Sequence, residues 1–311
     1  MAIKFDVKST TNLFVAVAVV AVILMLIIPL PTVLLDFLMA CNVLLSVLII
    51  LITLYTPKST DFSTFPTILL VSTVFSLALN VSSTRLILSK GSDFDGKMVT
   101  AFGEFVVGSG GTEGLLIGIV IFIILIAVQV AVITKGATRI AEVQARFTLD
   151  GMPNKLMAVD AEFNSGAITE EIAKKRKQEI QKEVDFYSSM DGASKFISGS
   201  VKVGIFITVI NLVVGIIFGM VLHGEPFSQA ITTYAKFTIG DGLLSQIPSL
   251  LISVATGLIV TRSANDEKSS LGEDIKKDFT QNAMIYYVGG GTMVVIGFFP
   301  GFPWYVLFPM G

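Results

Sequence analysis

Asp241 is the residue of this chain best placed to do chemistry alone. It lies in TIGDGLLSQIP (238–248), with a glycine on each side and a long apolar run directly after it. A carboxylate there is either a helix cap at a membrane interface or a protonatable group on an ion path or subunit contact. Removal from water disfavours the ionised form of a carboxylate, the property a proton-handling group needs. Arg85, near the end of another apolar run, either snorkels to a headgroup layer or pairs with a carboxylate such as Asp241. Asp191 and Lys195, in MDGASKF (190–196), are spaced to pair across one helical turn. Such a pair serves as a clasp at the membrane surface, or as a gate or proton acceptor at a channel mouth.

Other chemistries find no residues. The chain has one cysteine, Cys41, and one histidine, His223, so a disulfide framework and a His- or Cys-based metal site within one chain are both excluded. There is no GxxxxGK[ST] loop and no paired Ser/His arrangement. GSGG at 108–111 has no strand–helix context and is not a nucleotide site. We expect no enzyme, no cofactor and no nucleic-acid partner. Any transport work must draw on an ion gradient or on another subunit.

The elements that must position these residues are membrane helices. Hydrophobic residues make up 53% of the 311 and charged residues 15%, against about 25% charged in soluble domains; mean hydropathy is +0.79. Apolar spans run over 13–30, 33–54, 66–88, 115–133, 203–222, 243–260 and 283–299, and an eighth begins at Trp304. Each full span approaches the roughly 20 residues a bilayer core of about 30 Å requires. The expected fold is all-α: a polytopic membrane protein of about eight transmembrane helices, the last incomplete, with a small helical loop domain on the cytoplasmic side. It divides into helices 1–4 (1–134), the loop domain (135–200) and helices 5–8 (201–311).

No small-residue cleavage site follows the first run, so it is a transmembrane helix and not a signal peptide. Prolines 29 and 31 end it and start the next. Asp36 reads as a helix N-cap or first-turn residue. The third span carries Ser, Thr, Asn80 and Arg85 and should be shielded by neighbouring helices; Asn42 and Asn80 should hydrogen-bond between helices. With the N-terminus in the cytoplasm, 18 of the 22 lysines and arginines fall on the cytoplasmic side, as the positive-inside rule requires.

The loop is neutral overall. TEEIAKKRKQEIQKEVDFYSSM (169–190) reads as a helix capped by Thr169, with a Glu171–Lys175 pair and a partial packing stripe of Ile172, Ile180, Val184 and Tyr187. KKRK (174–177) reads as a solvated face or a contact for anionic lipid. The glycine-rich AFGEFVVGSGG (101–111) and YAKFTIGDGLLSQIP (234–248) read as interfacial or re-entrant segments lining something central. GIIFG (215–219), SVATG (253–257) and GGG (289–291) permit close helix approach.

Five stretches carry a family resemblance: 30–55, 61–88, ITKGATRIAEVQARFTLDGMPNKLMAVDAEFNSGAI (133–168), FYSSMDGASKF (186–196) and TIGDGLLSQIPSLLISVATGLIVTR (238–262). Together they resemble the membrane domain of the FlhA-like large export-gate proteins of bacterial flagella and type III secretion systems (the FHIPEP family), and DFSTFP leans toward the flagellar branch. The resemblance implies an inner-membrane protein that forms a homo-oligomeric, nonameric ring with other export-gate subunits and the basal-body ring. It implies proton motive force, with sodium as the other candidate ion, driving export of unfolded substrates. It carries a functional role onto Arg85, Asp191, Lys195 and Asp241. It makes Arg146, Asp150, Lys155 and Asp160 the charged members of a cytoplasmic signature loop. In the family, chaperone–substrate complexes dock on a large cytoplasmic domain after the membrane part. None follows Gly311 here, so this chain is expected to be a fragment without that function.

Two departures stand out. Ser76 replaces the usual arginine before LALN, and Asn154 and Leu156 alter the usual MPGKQM. If the missing arginine neutralises a carboxylate elsewhere in the family, the charge arrangement differs here. The leading expectation is a ring in which proton binding neutralises a carboxylate and relaxes its pair. One rival is a structural ring scaffold without ion conduction. The other is a small-solute secondary transporter, which predicts an internal repeat and broken helices at the midplane; no such repeat is visible.

Overall fold

The computed structural model describes residues 7–108, 111–262, 271–281, 283–299 and 303–310, and among these it is helical throughout. Lys4, Lys268 and the middle of GSGG lie outside the described residues. The helices are α1 (Val7–Met25), α2 (Thr32–Tyr55), α3 (Phe65–Lys90), α4 (Lys97–Val107), α5 (Gly111–Gln129), α6 (Thr138–Asn164), α7 (Glu170–Val221), α8 (Phe227–Val260), α9 (Leu271–Thr280), α10 (Ala283–Gly297) and α11 (Trp304–Met310). Five helical stretches are long and apolar enough to cross a membrane: α2, α3, the run from Glu113 to Asn164, α7 and α8.

Length separates membrane from non-membrane helix. The 52 residues of α7 span about 78 Å at 1.5 Å per residue, more than twice a bilayer core. Its apolar part is 203–221, and the longer part before it, 170–202, is largely polar. The same holds for α5 and α6, which a π-helical stretch, Val130–Ala137, joins into one rod. The segment that the sequence sets apart as a loop domain is thus a helical hairpin that continues two membrane helices. Thr169 caps α7 as expected, its hydroxyl accepting from the Ile172 amide at 3.4 Å. The hairpin closes on Ala141, Ala145, Met152 and Val159 of α6 and Ala173, Tyr187, Met190 and Ile197 of α7, all buried. These positions recur mostly at sums of three and four residues, the spacing of an antiparallel helix seam.

Helices α3 and α8 form the shielded centre. Half of the apolar stretch of α3 and 56% of that of α8 are buried, against 22–28% for the other spanning candidates. The expected shielding of the third span is therefore met. The apolar core lies in two main bodies. One, at the hairpin end, gathers Phe65, Leu69, Phe186, Met190, Ile252 and Ile259. The other, at the opposite end, gathers Leu35, Leu86, Phe94, Val99, Tyr234 and Phe237. A smaller third body gathers Val107, Leu115, Phe122, Ile239 and Leu243. Asp241 lies on α8 among the residues of the second and third bodies, between Phe237 and Leu244.

The two segments expected to be interfacial or re-entrant are both helical. Residues 234–248 belong to the unbroken α8, and 97–107 form α4, which packs on it. Their glycines serve contact rather than bending. A Cβ on Gly240 would overlap the Val99 carbonyl oxygen, and one on Gly103 would stand 2.5 Å from that of Lys236. The backbones of α4 and α8 meet where both lack side chains, the close approach small residues permit. Asp36 also differs from expectation. It caps not its own helix but α4, its carboxylate accepting from the amides of Lys97 at 2.9 Å and Met98 at 3.0 Å. A carboxylate there satisfies orphan donors and faces the positive end of the helix dipole.

Candidate functional site

The site is built on α3, α7 and α8. Asp241 is the fifteenth residue of α8 and only 4% exposed, so the helix-cap reading of it does not hold. One carboxylate oxygen, Oδ2, accepts from Asn211 Nδ2 at 3.0 Å. Asn211 lies on α7 and is fully buried. The other oxygen, Oδ1, has no hydrogen-bond partner, and neither has Asn211 Oδ1. Ser83 of α3 stands within side-chain reach of the carboxylate, with its hydroxyl donated to the Asn80 carbonyl at 3.0 Å. Among the described residues no cation stands within 4.0 Å of Asp241.

The glycines beside Asp241 are filled from outside. Gly240 takes the α4 backbone, and a Cβ on Gly242 would overlap the Phe122 ring of α5. The GIIFG stretch is used in the same way. A Cβ on Gly215 or Gly219 would run into the Tyr234 ring. By contrast Gly257, Gly289 and Gly291 meet nothing.

The remaining sequence candidates fall into separate places. Arg85 does not reach Asp241: its Nη1 donates to the Ile27 carbonyl at 2.6 Å, at the end of the first helix. Asp191 and Lys195 do pair, at 2.7 Å, on the exposed base of the hairpin. Glu142 and Arg146 of α6 are close enough to act on Lys195 electrostatically, so four charges meet where the hairpin joins the bundle. Lys155 pairs with Glu183 at 3.1 Å and Asp160 with Lys177 at 2.5 Å, both between α6 and α7. Arg176 and Glu162, at 2.5 Å, make a third such bridge. Half of KKRK is thereby committed to α6. The expected Glu171–Lys175 pair is not formed. Asp150 sits on the same hairpin, on α6. Asn42 bonds across helices as expected, to Ser76 of α3 at 3.4 Å; Asn80 lines a cavity instead.

Sequence reasoning missed Asn211, Gln129, Gln246 and Glu225. The first three are lone amides in apolar runs, a pattern open to reading. Glu225 follows the turn at Gly224, and only its packing reveals that both its carboxylate oxygens are buried and unpartnered.

A pairing of this kind leaves Asp241 with one neutral donor and no counter-charge. A carboxylate so held can take up and release a proton at Oδ1 while its bond to Asn211 persists. The geometry offers reversible charge, not bond-making chemistry; no group of three or more potential metal ligands exists among the described residues.

Comparison with known proteins agrees on one family. The FHIPEP family description matches residues 22–311. The flagellar biosynthesis protein FlhA of Treponema pallidum is 56% identical over 301 residues, covering 97% of this chain and 42% of that protein. FlhA of Salmonella typhimurium is 46% identical over 290 residues, with 92% and 41% covered. Protein MxiA of Shigella flexneri is 46% identical over 304 residues, with 97% and 43% covered. The chain thus spans about two fifths of the length of the curated relatives it matches. No solved structure matches it.

Proposed function

Since the chain belongs to the FHIPEP family, we propose that it forms the membrane part of a protein-export gate and that Asp241 is its proton-binding site. The protein lies in the bacterial inner membrane with its N-terminus and the α6/α7 hairpin in the cytoplasm, as the distribution of lysine and arginine favours. It works as a homo-oligomeric ring, nine subunits in the family reading, beside other gate subunits. It uses proton motive force, or a sodium gradient, to move unfolded substrates. Chaperone–substrate complexes dock outside this membrane part.

The observation that carries this reading is the buried, half-satisfied carboxylate of Asp241, held by Asn211 alone. An unpaired ionised carboxylate in a spanning helix is costly and marks an ion or proton pathway. Proton binding takes the site from one negative charge to none. The change falls where α7 meets α8, and α7 runs unbroken from Asn211 to the charges at Asp191 and Lys195 and on into the hairpin. Coupling from membrane to cytoplasm needs no part other than this rod. Arg85 anchors the end of α3 to the Ile27 carbonyl and is a positioning residue in this reading.

The test is ion flux through the purified protein in proteoliposomes under separate proton and sodium gradients, with Asp241→Asn alongside. The replacement is isosteric and keeps an acceptor for Asn211. Flux in the parent that drops at least tenfold in the variant supports the reading. Equal flux in both, with normal export in cells carrying the variant, refutes it.

A further inference from the structure

A void with polar lining lies one turn from Asp241 on its hairpin side. This cavity, of about 30 Å³, lies between α3, α5, α7 and α8. That is room for one or two waters, since a single water needs roughly 10–15 Å³. Three helices place a lining residue one turn from the Asp241 site: Asn80 beneath Ser83, Thr208 beneath Asn211, and Ser245 beneath Asp241 itself. Residues three or four apart share a helix face, so the cavity adjoins the carboxylate layer directly.

The lining is rich in acceptors. Thr208 donates to Gly204 at 3.0 Å, Ser245 to Gly242 at 2.8 Å and Ser249 to Ser245 at 2.9 Å, all backbone carbonyls. Their protons are used, which leaves their hydroxyl oxygens as acceptors. Gln246, 5% exposed, lines the cavity with Oε1 unpartnered. Pro248, also in the lining, has no N–H to give the Leu244 carbonyl. An unpartnered buried acceptor is costly, and a water in this cavity would relieve it. Farther along α8, toward the hairpin, a second void of about 10 Å³ is bounded by Ser194, Ser253 and Thr256. The hydroxyls of Ser194 and Ser253 are likewise unpartnered. The π-helical stretch of 130–137 borders it through Ile133 and Ala137.

The opposite side of Asp241 is closed. Two turns back along α8, the fully buried Tyr234 ring fills the faces of Gly215 and Gly219. The α4 backbone seals Gly240, and Phe94 stacks edge-on against Phe237 at 5.2 Å. An unpartnered hydroxyl, that of Thr238, lies on α8 between Tyr234 and Asp241, and the unpartnered carboxylate of Glu225 lies on the far side of Tyr234.

We infer that the Gln246 cavity is a water site giving Asp241 proton access from the hairpin side, while Tyr234 bars the other side of the same subunit. This rests on Asp241 being the proton site. No second titratable group acts on Asp241 from α3, α4, α5 or α7 among the described residues, so the water chain is its hairpin-side route. A proton reaching the far side must therefore pass when Tyr234 moves.

The site is tested by radiolytic hydroxyl footprinting of the purified protein, which labels buried side chains beside ordered water. Proton flux is then measured on the parent and on Ser249→Leu, which fills the cavity, with Val254→Leu, on the exposed face of the same helix and outside the lining, as the control. Labelling of buried Pro248 and Ile252 in the parent, lost in Ser249→Leu together with at least a fivefold fall in flux and kept in Val254→Leu, is the expected result. Unlabelled Pro248 and Ile252 in the parent overturn the water site whatever the flux. Labelling with flux unchanged in a well-assembled Ser249→Leu overturns the access route. Labelling without any parental flux upholds the water site and instead removes the proton-handling reading of Asp241.

Discussion

The hairpin and the bundle centre use charge in opposite ways. On the hairpin, Lys155–Glu183, Lys177–Asp160, Arg176–Glu162 and Lys195–Asp191 are all partnered and largely exposed. Water would screen each of these charges without its partner, and such pairs contribute about 0.2–1 kcal/mol each. The first three link α6 to α7, and Lys195–Asp191 joins residues one turn apart on α7. At the bundle centre a single carboxylate, Asp241, is buried with one amide donor. Nothing else compensates it among the described residues, and no packing need is met by it that an apolar side chain would not meet better. Charge on the hairpin is thus paired across its helices, while the function proposed for the bundle rests on a carboxylate without a counter-charge.

This contrast is open to attack at several points. The largest stability effect is expected where α4 crosses α8. Gly240→Val places a side chain against the Val99 carbonyl, which is backbone and cannot yield. Overpacking of this kind costs about 1–3 kcal/mol or more. Thermal unfolding in detergent should show a clearly lowered midpoint, whereas Gly257→Val, at a glycine with nothing nearby, should leave it in place. Equal midpoints for the two would mean that the glycines beside Asp241 are not there for packing.

Next in size is Asn211→Leu, which removes the one donor to Asp241. Loss of a hydrogen bond to a charged group is worth about 1.5–3 kcal/mol. Stability should fall, and Asp241→Asn made in the same background should largely abolish that fall. Additive losses in that double-mutant cycle would show that the two residues do not act as a pair. Smaller still is Lys155→Ala on the hairpin, expected to cost about 1 kcal/mol or less and to leave proton flux unchanged. A large loss there would erase the distinction between the two regions.

The smallest effect concerns the loop after α3. The Lys90 ammonium, bonded to Asp95 at 2.6 Å, holds that carboxyl below the usual carboxylate range. The sign follows from linkage: a carboxyl with a lowered folded-state pKa stabilises the fold above its unfolded value of about 3.9 and loses that contribution as pH falls through the folded value. Both groups are exposed. Chemical shifts of Asp95 followed by NMR should reveal titration below the range of an unpaired aspartate, and Lys90→Met should return it to that range.

Much of this was legible in the sequence. The starts of α2 and α3 and the ends of α7 and α8 fall within a few residues of the apolar spans, because the bilayer demands apolar side chains there. The starts of α7 and α8 do not. Helix α8 begins at Phe227, well before the apolar span at 243, and α7 begins at Glu170 instead of near 203. Hydropathy reports which side chains are apolar, whereas a helix continues wherever its backbone bonds and packing allow. The glycines around Asp241 look like sites of bending and prove to be contact faces. That distinction depends on what lies across the gap, Val99 and Phe122, over a hundred residues away in sequence. Asp241 and the Asp191–Lys195 pair were visible from residue type and spacing. Asn211, a lone amide in an apolar span, is a signal of the same kind that attention to charge alone passes over. Arg85 illustrates the opposite case: its charge suggested a partner in Asp241, but the topology gives it the carbonyl of Ile27.

If Asp241 is the proton site, it must change protonation within the membrane part of the protein. Infrared difference spectroscopy of the protein in lipid, across a pH titration, reads this most directly through the carbonyl stretch of a protonated carboxylic acid. The expected spectrum has a pH-dependent band that disappears in Asp241→Asn and shifts in Asn211→Leu. A spectrum identical in the parent and in Asp241→Asn at every pH would contradict proton binding at Asp241.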